Sequence, residues 1–238
     1  LADKFTCPTK DSKRALIHEG VDSDEIHILP NVVDIDQFDR GPKDADKASL
    51  PDYLESTFNV LFVHGLNEGK GTKFLIEAFE QIQRQFDDVS LILVGDNEFD
   101  REYYDDRVGA NSDIYHVEYL PEIQDLYNLS DVFVLPSIAV EKWEEQFGRV
   151  LVESMACGLP SVVTDVGGPQ FVVEEGETSF VVPARSSDSL SNALTELYED
   201  EQRRQQMGQR AYEYVRENYT PDIVGDDLYE MYRAANQK

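Results

Sequence analysis

The chain has 238 residues, 41% hydrophobic and 11% aromatic, enough apolar material for one large domain with a filled core rather than a disordered chain. Forty-eight acidic against 21 basic residues give a formal net charge of −27, which argues against nucleic acid as a partner and against attraction to an anionic membrane. No apolar run approaches the ~20 residues needed to span a bilayer. The acids are spread along the chain, as on a solvated acidic surface, and this pattern points to a halophilic, salt-adapted host. Cys7 and Cys157 are far apart and the four histidines are isolated, so no metal-ligand spacing exists and a reducing cytoplasm is the simpler reading. Cys157 lies in an apolar helical stretch and reads as a packed thiol.

Residues 2–35 read as a strand, a helix near 9–19, and a second strand at 26–29 closed by Pro30-Asn31. Residues 36–57, rich in Asp, Lys, Gly and Pro, read as a linker or surface loop. From residue 58 onward, apolar runs alternate with helical patterns. The strands are expected at 58–63, 89–94, 114–117, 132–135, 161–164 and 180–182. The helices between them are expected near 70–86, 100–109, 122–129, 148–157 and 169–174. Several strands are unbroken Val/Leu/Ile runs, as in strands buried on both faces, and the alternation predicts an α/β, Rossmann-like doubly wound parallel sheet over 58–220. Three further helices are expected at 186–198, 200–217 and 221–235, the last opening on Thr220-Pro221. Its Ile223, Val224, Leu228, Met231 and Tyr232 form one apolar face.

Two stretches carry the candidate chemistry. After the apolar strand ending at Ser137 comes Glu145-Gln146-Phe147-Gly148-Arg149-Val150-Leu151-Val152-Glu153, in which two carboxylates bracket a Phe-Gly turn that opens a helix. In open α/β sheets ligands bind beyond the carboxyl ends of the strands, where helix N-termini receive anions, and carboxylates beside such a site suit sugar hydroxyls. The second stretch is the loop His64-Gly65-Leu66-Asn67-Glu68-Gly69-Lys70-Gly71, whose glycines allow close backbone approach and whose Lys70 can reach a phosphate. The triplets Asp22-Ser23-Asp24 and Asp34-Ile35-Asp36 could hold a metal–diphosphate, but in so acidic a chain coincidence is the better reading.

These stretches, together with Ser154-Met155-Ala156-Cys157-Gly158, resemble the nucleotide-sugar site of the family-4 retaining glycosyltransferases, which have the GT-B fold. The loop around Lys70 is similar to the family's Gly-Arg-Leu…Lys-Gly element. Residues 114–127 resemble its base-binding loop and following helix, and Ala2–Thr9 and Ile28–Phe38 resemble the last strand and crossover of its first domain. The resemblance implies the C-terminal, donor-binding domain of a GT-B enzyme: 1–35 from the end of the absent N-terminal domain, 36–57 a linker, 58–220 the nucleotide-sugar domain, and 221–238 a helix packing back towards the missing part.

By that resemblance Lys70 meets the donor phosphate, Glu145 the sugar hydroxyls and Glu153 the ribose. The turn at Gln146, Phe147, Gly148, Arg149 and Val150 supplies amides to the diphosphate, and backbone near Tyr119 and Leu120 meets the base. Gly65 stands where the family has a second basic residue, an arginine. Arg149 either compensates for it or pairs with Glu153 at i+4. No metal or cofactor is implied beyond the co-substrate, a UDP- or GDP-linked sugar.

The partners implied are that donor and a sugar, lipid-linked or small-molecule acceptor bound through the missing N-terminal domain. Location is expected to be cytoplasmic, with any peripheral attachment at the inner membrane face coming through the missing part. A non-catalytic nucleotide-sugar-binding or regulatory module stays open as the alternative, and this fragment alone is expected to be inactive. The charge makes its own prediction. The Debye length falls from ~10 Å at 0.1 M salt to ~3 Å at 1 M, so self-repulsion should fade. Thermal unfolding followed by circular dichroism should shift upward in molar potassium chloride; equal stability at low and molar salt contradicts the salt-adapted reading.

Overall fold

Strands with apolar side chains on both faces need a covering layer on each side, and this chain supplies both. The computed structural model describes residues 4–47, 50–98, 101–141 and 143–235. Six strands form one fully parallel sheet: β3 (Phe58–Val63), β4 (Val89–Val94), β5 (Ile114–Val117), β6 (Val132–Leu135), β7 (Ser161–Thr164) and β8 (Ser179–Val182), in the order β5-β4-β3-β6-β7-β8. A parallel pair, β1 (Phe5–Cys7) and β2 (Ile26–Ile28), stands apart from it with α1 (Lys10–His18) between them in sequence. Expected element ends at residues 2, 3 and 100 lie outside the described residues.

Strand alternation divides the core. Leu61, Ile92, Phe133 and Val163 pack on one face with α4 (Ile123–Leu129), α5 (Arg149–Ala156) and the middle of α7 (Glu201–Asn218). Val60, Phe62, Leu91 and Val134 pack on the other with α2 (Thr72–Gln83) and α6 (Ser187–Glu199). The α/β doubly wound architecture and the six strand positions agree with the sequence reading.

Two stretches differ from it. The helix expected at 100–109 is four α-helical residues, Arg101–Tyr104, hereafter α3, followed by a turn of π-helix over Asp105–Gly109. The helix expected at 169–174 is a single 3-10 turn, Pro169–Phe171. The described residues of 36–57 carry one 3-10 turn, Asp52–Ser56, and pack on the domain. Phe38, Ala45 and Leu54 are buried in the core, Lys43 Nζ is 2.7 Å from Asp131 Oδ2, and Arg40 Nη2 donates to the Gly208 carbonyl at 2.8 Å. Widely spaced apolar residues in a polar stretch gave no periodic signal. The final helix, α8 (Pro221–Ala235), buries Val224 and Met231 and leaves Ile223, Tyr229 and Tyr232 exposed.

The strand order sets the position of the site. From β3 the chain winds outward through β4 and β5, then returns to the other side of β3 with β6 and winds outward again. The loops after β3 and β6 therefore separate at a topological switch point, where a crevice opens beyond the carboxyl ends. Here the two loops touch backbone to backbone. Ile138 N–H donates to the Gly69 carbonyl at 2.9 Å, and a Cβ on Gly71, which has φ +68°, would lie 1.8 Å from the Pro136 carbonyl oxygen. Gly176 has φ +80° but nothing within 4 Å of a built Cβ. Gly176→Ala should therefore cost about 1 kcal/mol, for the left-handed backbone alone. Gly71→Ala should cost more than about 3 kcal/mol. Urea unfolding of the full-length protein separates them; equal costs would mean that the close approach does not shape the fold.

Candidate functional site

Lys70 and Glu145 meet at the switch point although 75 positions separate them. Lys70 Nζ donates to Glu145 Oε2 at 2.6 Å, with side chains only 8% and 15% exposed. The position of each is fixed by its loop. Lys70 N–H donates to Asn67 Oδ1 at 3.1 Å, and Gly168 N–H donates to the Glu145 carbonyl at 2.7 Å. The Trp143 ring lies 4.4 Å from Lys70 Nζ, so the ammonium is held between a carboxylate and an aromatic face. Sequence reasoning did not find Trp143. Its one signal was position, as the chain's only tryptophan two residues before Glu145.

Two helices start at this crevice, and both start unlike α1, α6 and α7. α2 and α5 open on Gly71 and Gly148, each in the left-handed region, with no side-chain cap and no acidic residue in the first turn. By contrast α1, α6 and α7 are capped by Thr9, Ser186 and Asp200 and carry Asp11, Asp188 and Glu201 in their first turns. In a chain of net charge −27, carboxylates are thus kept off the two helix N-termini that flank the switch point. First-turn N–H groups lack intrahelical acceptors, so such an end receives an anion.

The other candidate residues are placed unevenly. Phe147 is 3% exposed, packed edge-on to Tyr219 in the core, so it can contribute its backbone but not its side chain to the crevice. Val150 and Leu120 also pack partly against the core. Gln146 is exposed, and its carbonyl accepts from Thr9 Oγ1 at 3.2 Å, tying the N-terminal α1 segment to the site loop. Tyr119 is 78% exposed. At Gly65 a Cβ would sit 2.9 Å from Glu98 Oε1, so the position lacking the family arginine faces an acid. The Asp-x-Asp triplets form local turns: Asp22 and Asp34 side chains accept from the N–H groups of Asp24 and Asp36, each at 3.0 Å.

Glu153 sits on α5, one face over. Tyr127 Oη donates to its Oε2 at 3.1 Å, while the Arg149 guanidinium is 3.9 Å from Oε1 and 74% exposed. Arg149 therefore adds little to holding Glu153. Burial raises the Glu153 carboxyl above its usual value, and the Tyr127 hydroxyl and Arg149 pull it part of the way back. Burial also pushes the Tyr127 phenol far up, which keeps it the donor. His64 is lowered by burial and then by the charge on Lys70; its Nδ1 accepts the Gly65 N–H at 2.8 Å, as a neutral ring allows. Cys157 is buried, its thiol pushed up to about 12, as expected of a packed thiol.

The family described as glycosyl transferases group 1 matches residues 47–214, well over half of the sequence. The chain belongs to this family. A relative, the D-inositol 3-phosphate glycosyltransferase of Paenarthrobacter aurescens, is 29% identical over 226 residues, covering 92% of this chain and 54% of that protein. The chain thus spans about half the length of the relatives it matches. The structure of Anabaena Alr3699/HepE in complex with UDP and glucose superposes with a TM-score of 0.85 at 25% identity, over 98% of this chain and 63% of that one. The C-terminal domain of a group 1 glycosyl transferase from Francisella tularensis, at 20% identity and TM-score 0.66, covers 79% of this chain and 98% of its own. The group 1 fold seen here is accordingly the GT-B C-terminal type.

Glu153 yields a prediction whose sign follows from its environment. Its folded pKa is raised, so its contribution to stability is complete below the unfolded value of 4.5 and is lost as pH rises through the folded value. At pH 7 the buried charge costs stability. Glu153→Gln should therefore raise the melting temperature at pH 7, and the gain should vanish as pH falls towards the unfolded value. A variant less stable than wild type at pH 7 would contradict this.

Proposed function

We propose that the chain is the donor-binding half of a retaining family-4 glycosyltransferase and that its switch-point crevice holds a nucleotide-sugar. One observation carries the reading. Lys70 and the two uncapped, acid-free helix N-termini of α2 and α5 converge at the switch point of a chain that is acidic almost everywhere else. The diphosphate takes Lys70 and the first-turn amides of α5. Glu145 holds sugar hydroxyls, Glu153 the ribose, and backbone at Tyr119 and Leu120 the base. As the glycosidic bond breaks, Lys70 and the amides stabilise charge growing on the leaving diphosphate. Glu145 fixes the sugar for attack. The leaving phosphate takes the acceptor proton, so the mechanism calls for no nucleophile–base pair.

UDP is the favoured nucleotide, supported by the UDP and glucose bound in Anabaena HepE, with GDP as the other candidate. The acceptor, a sugar, a lipid-linked group or an inositol phosphate like that named for the Paenarthrobacter relative, is bound largely by the half of the enzyme beyond this chain. No helix among the described residues is long and apolar enough to cross a membrane. We place the enzyme in the cytoplasm of a salt-adapted cell, with any membrane-face attachment arising from the other half.

A second reading, a nucleotide-sugar-binding module without transfer, is favoured by Gly65. Glu98 occupies the space beside it, and the exposed Arg149 lies 3.9 Å from Glu153 Oε1.

Full-length protein, its variants and UDP-glucose separate the readings. Lys70→Ala should lower kcat/KM by about 10²–10³. Glu145→Gln should lower kcat by at least about 10² with the circular dichroism spectrum unchanged. Transfer surviving in both variants refutes the assignment, and nucleotide-sugar binding by wild type with no turnover favours the module.

A further inference from the structure

Lys70 and Glu145, assigned above to the diphosphate and the sugar of the donor, grip each other in this structure. The pair is short, at 2.6 Å, and largely buried. It is also enclosed. The Trp143 ring covers the ammonium at 4.4 Å and packs on Gly69, where a Cβ would come within 3.0 Å of the indole carbons Cε3 and Cζ3. Trp143 itself is held by two reciprocal backbone hydrogen bonds with Val140, both 3.1 Å. A low-dielectric wall of this kind strengthens an ion pair.

A diphosphate reaching Lys70 therefore meets a site already occupied by the protein's own carboxylate. It must displace Glu145 or lie beside it as a like charge, and either costs free energy. What repays that cost depends on the ligand. With an intact nucleotide-sugar, the displaced carboxylate gains sugar hydroxyls as donors. With a bare nucleoside diphosphate, it gains none and faces an additional phosphate charge. A ligand shifts such an equilibrium only by its differential interaction with the two arrangements.

We propose that Glu145 competes with the nucleoside diphosphate for Lys70, so that the site prefers intact nucleotide-sugar and discards nucleoside diphosphate once the sugar has left. Glu145 is on this account a specificity-determining residue for donor over product as well as a sugar-holding one. After transfer the carboxylate loses its hydroxyl partners, returns to Lys70 and drives the product out. The inference rests on the donor site proposed above.

Calorimetric titration of full-length protein without acceptor tests it, using UDP and UDP-glucose, with GDP and GDP-mannose in parallel. Wild type should bind the nucleotide-sugar about tenfold more tightly than the matching diphosphate, the scale of one charge-assisted hydrogen bond. Glu145→Gln should bind the diphosphate about tenfold more tightly than wild type does, and the preference should fall towards one. Glu145→Asp separates contact from simple repulsion, because it keeps the charge but shortens the reach by ~1.5 Å, one carbon–carbon bond. It too should tighten diphosphate binding, whereas Glu144→Gln, which removes a neighbouring exposed carboxylate, should leave the preference unchanged. Diphosphate affinity that is unchanged or weaker in either Glu145 variant overturns the competition and leaves the donor site standing. Wild type that binds neither nucleotide of either pair overturns both.

Discussion

The structure depends on two β-to-α loops meeting with almost no side chain between them. Gly71 lies against the Pro136 carbonyl, and Gly69 accepts a hydrogen bond from Ile138. That contact joins the loops after β3 and β6 and fixes where α2 begins. It also places Lys70 beside Glu145, which no local feature of either segment would do. A larger residue at position 71 would push the loops apart, and the two charged side chains would lose contact. The geometry of the site is thus set by backbone packing, and the ion pair follows from it.

Electrostatics work against the crevice at long range and for it at short range. A chain of net charge −27 repels an incoming diphosphate at low ionic strength. Within the crevice, the absence of caps and acids from the starts of α2 and α5 leaves their N–H groups without local competitors. Salt screens the distant repulsion and affects the enclosed donors much less. A host rich in salt would therefore improve both the stability of this chain and its approach to an anionic ligand, while local contacts supply the affinity. Glu153 shows the opposite balance. It remains buried beside Tyr127, where burial disfavours its charged form.

The sheet was legible because parallel strands buried on both faces leave largely apolar runs, clearest in β3, β4 and β6. Lys70, Glu145 and Glu153 were singled out because the loop after β3 and the stretch from Glu145 to Glu153 resemble family motifs, with the helix start at Gly148 between the two acids. Their partners were not. Trp143 reaches Lys70 across two loops, and Tyr127 reaches Glu153 from a different helix, so neither contact leaves a spacing in the sequence. Phe147 sits in a turn that faces the crevice, yet its side chain points into the core, because burying an aromatic ring against Tyr219 outweighs exposing it. Residues 36–57 read as a linker or surface loop because Phe38, Ala45 and Leu54, each buried, are too far apart to make a pattern.

A crystal structure of the full-length protein with an intact nucleotide-sugar tests the central claim most directly. The account predicts the diphosphate against the first turn of α5, within hydrogen-bonding distance of Lys70 Nζ, and the Glu145 carboxylate moved off Lys70 onto the sugar. A nucleotide bound elsewhere, with Lys70 and Glu145 still joined and the crevice empty, would contradict it.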